Sequence, residues 1–241
     1  MSKPVLILKN EPRENPGLIE FLLKNHSLEY QIVYLENNTI IESIEDFNAL
    51  IVLGGPESAN DTTPKMINEL SLIRKAVQSH IPFLGVCLGL QALVKAMGGS
   101  VVKCPLQETG FRDPDNNFYK VRLTENGRKD RLFDQLPDDL TVFQLHGETV
   151  QLTPQMSLLA TGDFCKNQIV KIGDNAYGIQ SHFELTDELL ESWMTEDADL
   201  KKLSTEQLRS DFDIVRQDYQ KTGLQLFHNF LTIAGLINTN S

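Results

Sequence analysis

Cys87, His182 and Glu184 are the residues whose types and settings point most directly to chemistry in this 241-residue chain. The thiol lies in HIPFLGVCLGLQAL (80–93), where the apolar run IPFLGV meets Gly85-Val86-Cys87-Leu88-Gly89 and a helix-forming stretch follows. G-x-C-x-G at a strand-to-helix junction has the layout of a nucleophile elbow, with cysteine in place of serine. A side chain on such a turn sits on strained backbone, and the residues two positions away must be small for strand and helix to pass. The helix N-terminus behind the turn offers free N–H groups and partial positive charge, which suit a developing oxyanion. A small core cysteine beside a turn gives the same pattern, because free cysteine is among the most buried residue types. The choice between the two rests on finding a base.

Five histidines are available: His26, His80, His146, His182 and His228. His26 and His228 lie in or beside amphipathic helices, where a solvated or packed ring is ordinary. His80 ends a helix, where histidine commonly meets the last carbonyls. His182 is different, because it follows the strand-like YGIQ and stands two residues before Glu184. Residues i and i+2 of an extended segment point the same way. A carboxylate so placed can hold the imidazole tautomer and leave the other ring nitrogen free for a thiol.

The elements that must position these groups follow from periodicity. Apolar strands are expected at 3–10, 29–37, 46–58 and 81–86, and helices at 17–25, 65–80 and 88–99. The second helix shows Met66, Ile67, Leu70, Ile73 and Val77 at helical spacing. Continuous apolar strands alternating with helices indicate a mostly parallel sheet covered on both faces. In such sheets sites form beyond the carboxyl ends of the strands, where Cys87 and His182 would both lie. Shorter strands are expected at 118–126, 140–152 and 157–163, with a hairpin at 167–184 around Gly173-Asp174-Asn175. After Glu184 the chain reads as three charged helical stretches: DELLESWM, STEQLRSDFDIVRQDYQ and GLQLFHNFLTIAGLI.

Composition narrows the function classes. With 22 basic against 33 acidic residues, the formal net charge of −11 disfavours nucleic acid and anionic membrane surfaces. No apolar run reaches the length of a membrane span or signal-peptide core, so a cytoplasmic location is expected. Cys87, Cys104 and Cys165 are widely spaced, with no CxxC pair. That spacing suits free thiols in a reducing compartment better than disulfides or a zinc site, so no metal is expected.

Together GGP (54–56), GVCLGLQ (85–91), ETG (108–110), LHGE (145–148) and GIQSHFE (178–184) resemble, in order and spacing, the class I glutamine amidotransferases. Most similar are stand-alone proteins related to the amidotransferase domain of GMP synthase, over about residues 3–194. The resemblance implies a flavodoxin-like three-layer α/β fold, taken as one domain over 1–241, with a helical extension from about 195 onwards. It implies Cys87 as nucleophile, His182 as base, Glu184 as its orienter, and the backbone N–H groups of Gly55 and Leu88 as oxyanion hole. Gln91, Leu145, His146 and Gly147 would hold the amino-acid end of glutamine, making His146 a pocket wall. Ser181 and Phe183 depart from the family's usual aromatic and proline around the histidine.

The implied activity is release of ammonia from glutamine through a γ-glutamyl thioester, without a cofactor. The sequence holds no P-loop for a synthetase of its own, so the expected partners are glutamine or another γ-glutamyl small molecule, a separate ammonia-accepting synthetase chain, and a second copy in a homodimer. A stand-alone γ-glutamyl peptidase keeps the chemistry and changes the leaving amine. A non-catalytic scaffold or regulatory role is the third reading, and the intact Cys, His and Glu argue against it. The extension after 195 is expected to be an amphipathic cap.

Overall fold

The computed structural model describes residues 3–35, 41 and 43–238. The chain opens with strand β1 (Val5–Lys9), helix α1 (Leu18–Asn25), β2 (Tyr30–Tyr34), β3 (Ala49–Val52), α2 (Pro64–Gln78), β4 (Phe83–Val86) and α3 (Leu88–Ala96). These match the elements read from periodicity, although Glu36 and Asn37 of the expected second strand lie outside the described residues. Then follow β5 (Ser100–Gly110), β6 (Lys120–Leu123), β7 (Asp139–Thr141), β8 (Gln144–Gln151), β9 (Met156–Gly162), β10 (Ile169–Ile172) and β11 (Ala176–Ile179). Two helices finish the fold, α4 (Asp187–Glu196) and α5 (Thr205–Ile233).

The main sheet has the order β2-β1-β3-β4-β11-β10-β9-β6-β7. Its first five strands run parallel, and the remaining pairings are antiparallel. Both faces are covered. Val5, Ile7, Ala49 and Ile51 pack with Leu18 and Leu22 of α1 and Leu226, Phe227 and Phe230 of α5. Leu6, Leu8, Leu50 and Val52 face the other way, against Met66 and Ile73 of α2 and Val94 of α3. Strands buried on both faces need continuous apolar runs, which is why β1, β3 and β4 contain no alternation.

Three differences from expectation have physical causes. The stretch 140–152 is two strands: β7 pairs with β6 at the sheet edge, while β8 leaves to pair with β5 in a separate two-stranded sheet. Val142 and Phe143 mark the break: the Val142 N–H still donates to the Tyr119 carbonyl beside β6, whereas Phe143 forms a β-bridge with His182. The partner β5 was not expected, since SVVKCPLQETG carries a proline and slips register between Lys103 and Glu108. The last two helical stretches are one 29-residue helix running through Gly223. That helix is more than an amphipathic cap. Tyr219 Oη donates to the backbone oxygen of His182 at 2.9 Å, and Asn229 Nδ2 donates to the carbonyls of Leu132 and Asp134.

A Cβ on Gly223 would lie 2.2 Å from the backbone oxygen of Phe183, so the glycine is what lets α5 lie against the 182–184 segment. Helix propensity favours Gly223→Ala by about 1 kcal/mol. Overpacking against backbone costs about 1–3 kcal/mol and should dominate. Thermal denaturation is expected to show a Tm lowered by several degrees, and a raised Tm would contradict this packing.

Candidate active site

Cys87 occupies the tight turn between β4 and α3 with φ 52° and ψ −104°, at a positive φ that non-glycine residues rarely adopt. Gly85 and Gly89 make the turn sterically feasible. A Cβ on Gly85 would sit 2.4 Å from the carbonyl of Gly89, and one on Gly89 would sit 2.2 Å from the carbonyl oxygen of Val52. The Cys87 N–H donates to the Ile179 carbonyl of β11 at 2.7 Å, pinning the turn to the neighbouring strand. Parallel pairing of Gly85 with Gly178 and Val86 with Ile179 then brings the residues after β11 to the level of the thiol.

Those residues are Gln180, Ser181, His182, Phe183 and Glu184, all fully or nearly fully buried. Glu184 Oε1 and His182 Nδ1 are 2.6 Å apart, and Glu184 Oε2 accepts from the Phe183 N–H at 2.9 Å. The second ring nitrogen, Nε2, has no hydrogen-bond partner, and both His182 and Cys87 line one cavity of about 530 Å³. Burial is the largest influence on the imidazole and favours its neutral form. The Glu184 carboxylate and Cys87 outweigh it, so the ring keeps its proton well above the usual 6.5.

The ring is held from several sides. His182 exchanges a β-bridge with Phe143, its N–H donating to the Phe143 carbonyl at 2.8 Å. Trp193 of α4 meets the imidazole edge-on at 4.8 Å between centroids and donates through its indole N–H to the Arg13 carbonyl. Phe183, where the sequence departs from the family's usual proline, stacks on Tyr219 at 6.4 Å.

Gly55 and Leu88 come together across the turn: a Cβ on Gly55 would stand 3.1 Å from Leu88 Cδ2. Leu145, His146 and Gly147, at the start of β8, line the cavity, as does Gln91. The thiol of Cys87 points to the Leu145 carbonyl at 3.7 Å. The Gln91 amide donates to the Glu148 carbonyl at 3.2 Å and to Gln180 Oε1 at 3.4 Å, so its N–H groups are already engaged by the protein.

Sequence reasoning missed several groups here. Gln180 reaches Cys87 Sγ through its amide at 3.8 Å, within the same GIQSHFE segment that carries the histidine. Arg13, Glu14 and Asp197 line the cavity without any motif to announce them. Arg13 pairs with Asp197 at 2.7 Å, which brings the start of the C-terminal region to the site. Glu14, 4% exposed, lies close to Gly54 and 3.8 Å from Arg13 Nε. Burial pushes its pKa up to about 7, with Glu184 and Asp197 adding to the rise and His182 and Arg13 opposing it.

A carboxyl whose folded pKa is raised favours the folded state fully only below its ordinary 4.5, and that contribution is lost as pH rises through about 7. Glu14→Gln is therefore expected to change Tm little at pH 5 and to raise it at pH 8. Equal shifts at both values would show that Glu14 is not a buried, proton-holding acid.

Comparison with known proteins identifies the family. The model described as "Glutamine amidotransferase class-I" matches residues 19–198. The chain is 31% identical over 173 residues to the glutamine amidotransferase-like protein YfeJ of Salmonella typhimurium, covering 70% of this chain and 69% of that one. It is 32% identical over 170 residues to one of the subunits of the glutamine-hydrolyzing GMP synthase of Archaeoglobus fulgidus, covering 70% and 82%. A crystal structure of a glutamine amidotransferase from Methylobacillus flagellatus superimposes with a TM-score of 0.85 at 25% identity, covering 97% of this chain and 96% of that one. The chain belongs to the class I glutamine amidotransferases.

Proposed function

We propose that the protein hydrolyses the side-chain amide of glutamine, with Cys87 as nucleophile, His182 as general base and acid, and Glu184 as its orienter. The observation that carries this reading is the imidazole held by a buried carboxylate, its free Nε2 sharing a cavity with a thiol on a strained elbow. Cys87 Sγ attacks the amide carbon and its proton passes to His182. The developing oxyanion is stabilised by the N–H groups of Gly55 and Leu88. His182 then protonates the leaving nitrogen and ammonia departs, leaving a γ-glutamyl thioester. Water, deprotonated by His182, attacks the thioester, and glutamate and the free thiol are restored. Leu145, His146, Gly147 and the side-chain oxygen of Gln91 hold the amino-acid end.

Relatives that are separate subunits of GMP synthases support a division of labour in which ammonia passes to another, synthetase chain. A second reading, γ-glutamyl peptide hydrolysis, is favoured by the size of the cavity. Its volume of about 530 Å³ extends past the thiol to Arg13, Asp197 and Asp199, and pockets of that size hold ligands larger than one amino acid.

Cys87→Ala is expected to abolish ammonia release from glutamine, and residual activity at wild-type level would remove the assignment. Initial rates on glutamine and on a series of γ-glutamyl dipeptides separate the two substrates: preference for dipeptides selects the second reading.

The pH profile gives a further test. Because Glu184 holds the His182 proton and the ring must be neutral to accept the proton of Cys87, the acid limb of kcat/KM should lie well above pH 6.5. Glu184→Gln removes that charge and should move the limb to lower pH, with kcat lowered about 100- to 10,000-fold. An unmoved limb would show that Glu184 does not act through the imidazole.

A further inference from the structure

Behind the His146 wall of the cavity, three side chains from distant parts of the chain converge. Cys104 lies in the bulge where β5 slips against β8, His146 is on β8, and Cys165 is on the connection between β9 and β10. Their ligand atoms all lie within 4.8 Å of one another, and Cys104 Sγ is 3.5 Å from His146 Nδ1. That distance is the edge of a tetrahedron built on a zinc–nitrogen bond of about 2.0–2.1 Å and a zinc–sulfur bond of about 2.3 Å.

The surroundings favour a cation at this point. Glu108, 1% exposed, lies 3.0 Å from His146 Nε2, though the N–H is poorly aligned, and its other partner is Gln168 Nε2 at 3.2 Å. Nδ1 donates to the Glu148 carbonyl oxygen at 3.1 Å and faces Cys104 Sγ at 3.5 Å, so an ion taken up here would displace that proton to Nε2, beside Glu108. Carboxylate, imidazole and thiols in this sequence make the arrangement by which histidine ligands are oriented toward a metal. Thr149 Oγ1 lies 3.1 Å from Cys165 Sγ.

We propose that Cys104, His146 Nδ1 and Cys165 bind a thiophilic divalent cation, of which Zn²⁺ is the natural candidate, with the fourth position open to water. On binding, the thiol protons pass to solvent, both sulfurs become thiolate ligands, and the Nδ1 proton moves to Nε2 of the same ring. No electron transfer is involved. The ion would tie the β5 bulge, β8 and the β9–β10 connection together and fix the ring of His146. The site stands whether or not the protein hydrolyses glutamine.

The test uses the full chain, reduced and stripped of metal, titrated anaerobically with Co²⁺. Binding of one equivalent with sulfur-to-cobalt charge-transfer absorption is expected, reversed by Zn²⁺. Cys104→Ser and Cys165→Ser should each weaken uptake more than about 10-fold, whereas Cys87→Ser should leave it unchanged. Since Cys165 is buried and its variant can fail to fold, the wild-type Tm provides a second readout. Zn²⁺ at a hundred times its dissociation constant should raise it by about 5 °C or more. Absence of thiolate charge transfer overturns the site, as does its loss in Cys87→Ser. Recovery of a Cys104–Cys165 disulfide from protein that takes up no metal would overturn it too and assign the pair to redox chemistry instead.

Discussion

The whole arrangement depends on keeping one charged pair dry. His182 and Glu184 are almost completely buried, and an imidazolium and a carboxylate removed from water each carry a desolvation penalty of several kcal/mol. That cost is offset only if each lone pair and N–H meets a partner at good geometry. Glu184 meets two, His182 Nδ1 and the Phe183 N–H. The backbone of His182 is fixed by Phe143 on one side and Tyr219 on the other. The single polar atom left over, Nε2, is the one a reaction can use. Trp193, Phe143, Leu189, Phe212 and Tyr219 form one apolar cluster around this segment.

The elbow is the complementary constraint. Cys87 is held at positive φ, a conformation that costs of order 1–3 kcal/mol and persists only where the surroundings over-determine it. Two glycines pressed together on either side, and a short hydrogen bond to β11, supply that determination. The same hydrogen bond links thiol and imidazole, because Ile179 ends the strand from which Gln180 and His182 continue. Geometry at the thiol and geometry at the imidazole are therefore one property of the β4–β11 pairing.

How much of this could be read from residues alone follows from sequence distance. The parallel half of the sheet was legible because β1, β3 and β4 are buried on both faces and so leave unbroken apolar runs. The elbow was legible because its steric requirement falls on two glycines within five residues. His182 and Glu184 were legible because an extended segment places i and i+2 on one side. Illegible were contacts made by residues without periodicity or local partners. Glu14 and Arg13 sit on the loop after β1, and only the folded sheet end brings them to Cys87. The β5 strand hid behind a proline and a bulge. That the last two helical stretches join through Gly223 was hidden too, because the function of this glycine is set by the distant carbonyl of Phe183. Cys104 and Cys165 read as unrelated thiols for the same reason.

The placement of β11 beside β4 also has a meaning in time. Cys87 leaves the ribosome long before His182 exists. The two strands can pair only once the entire excursion through β5 to β10 has been set aside as a closed loop, a long-range contact that forms late and slowly. Until then the thiol has neither its neighbouring imidazole nor the carbonyl of Ile179 to hold the turn. In a nascent or partly unfolded chain the turn at Cys87 is therefore unpinned, and only the completed sheet brings Cys87 and His182 to one cavity.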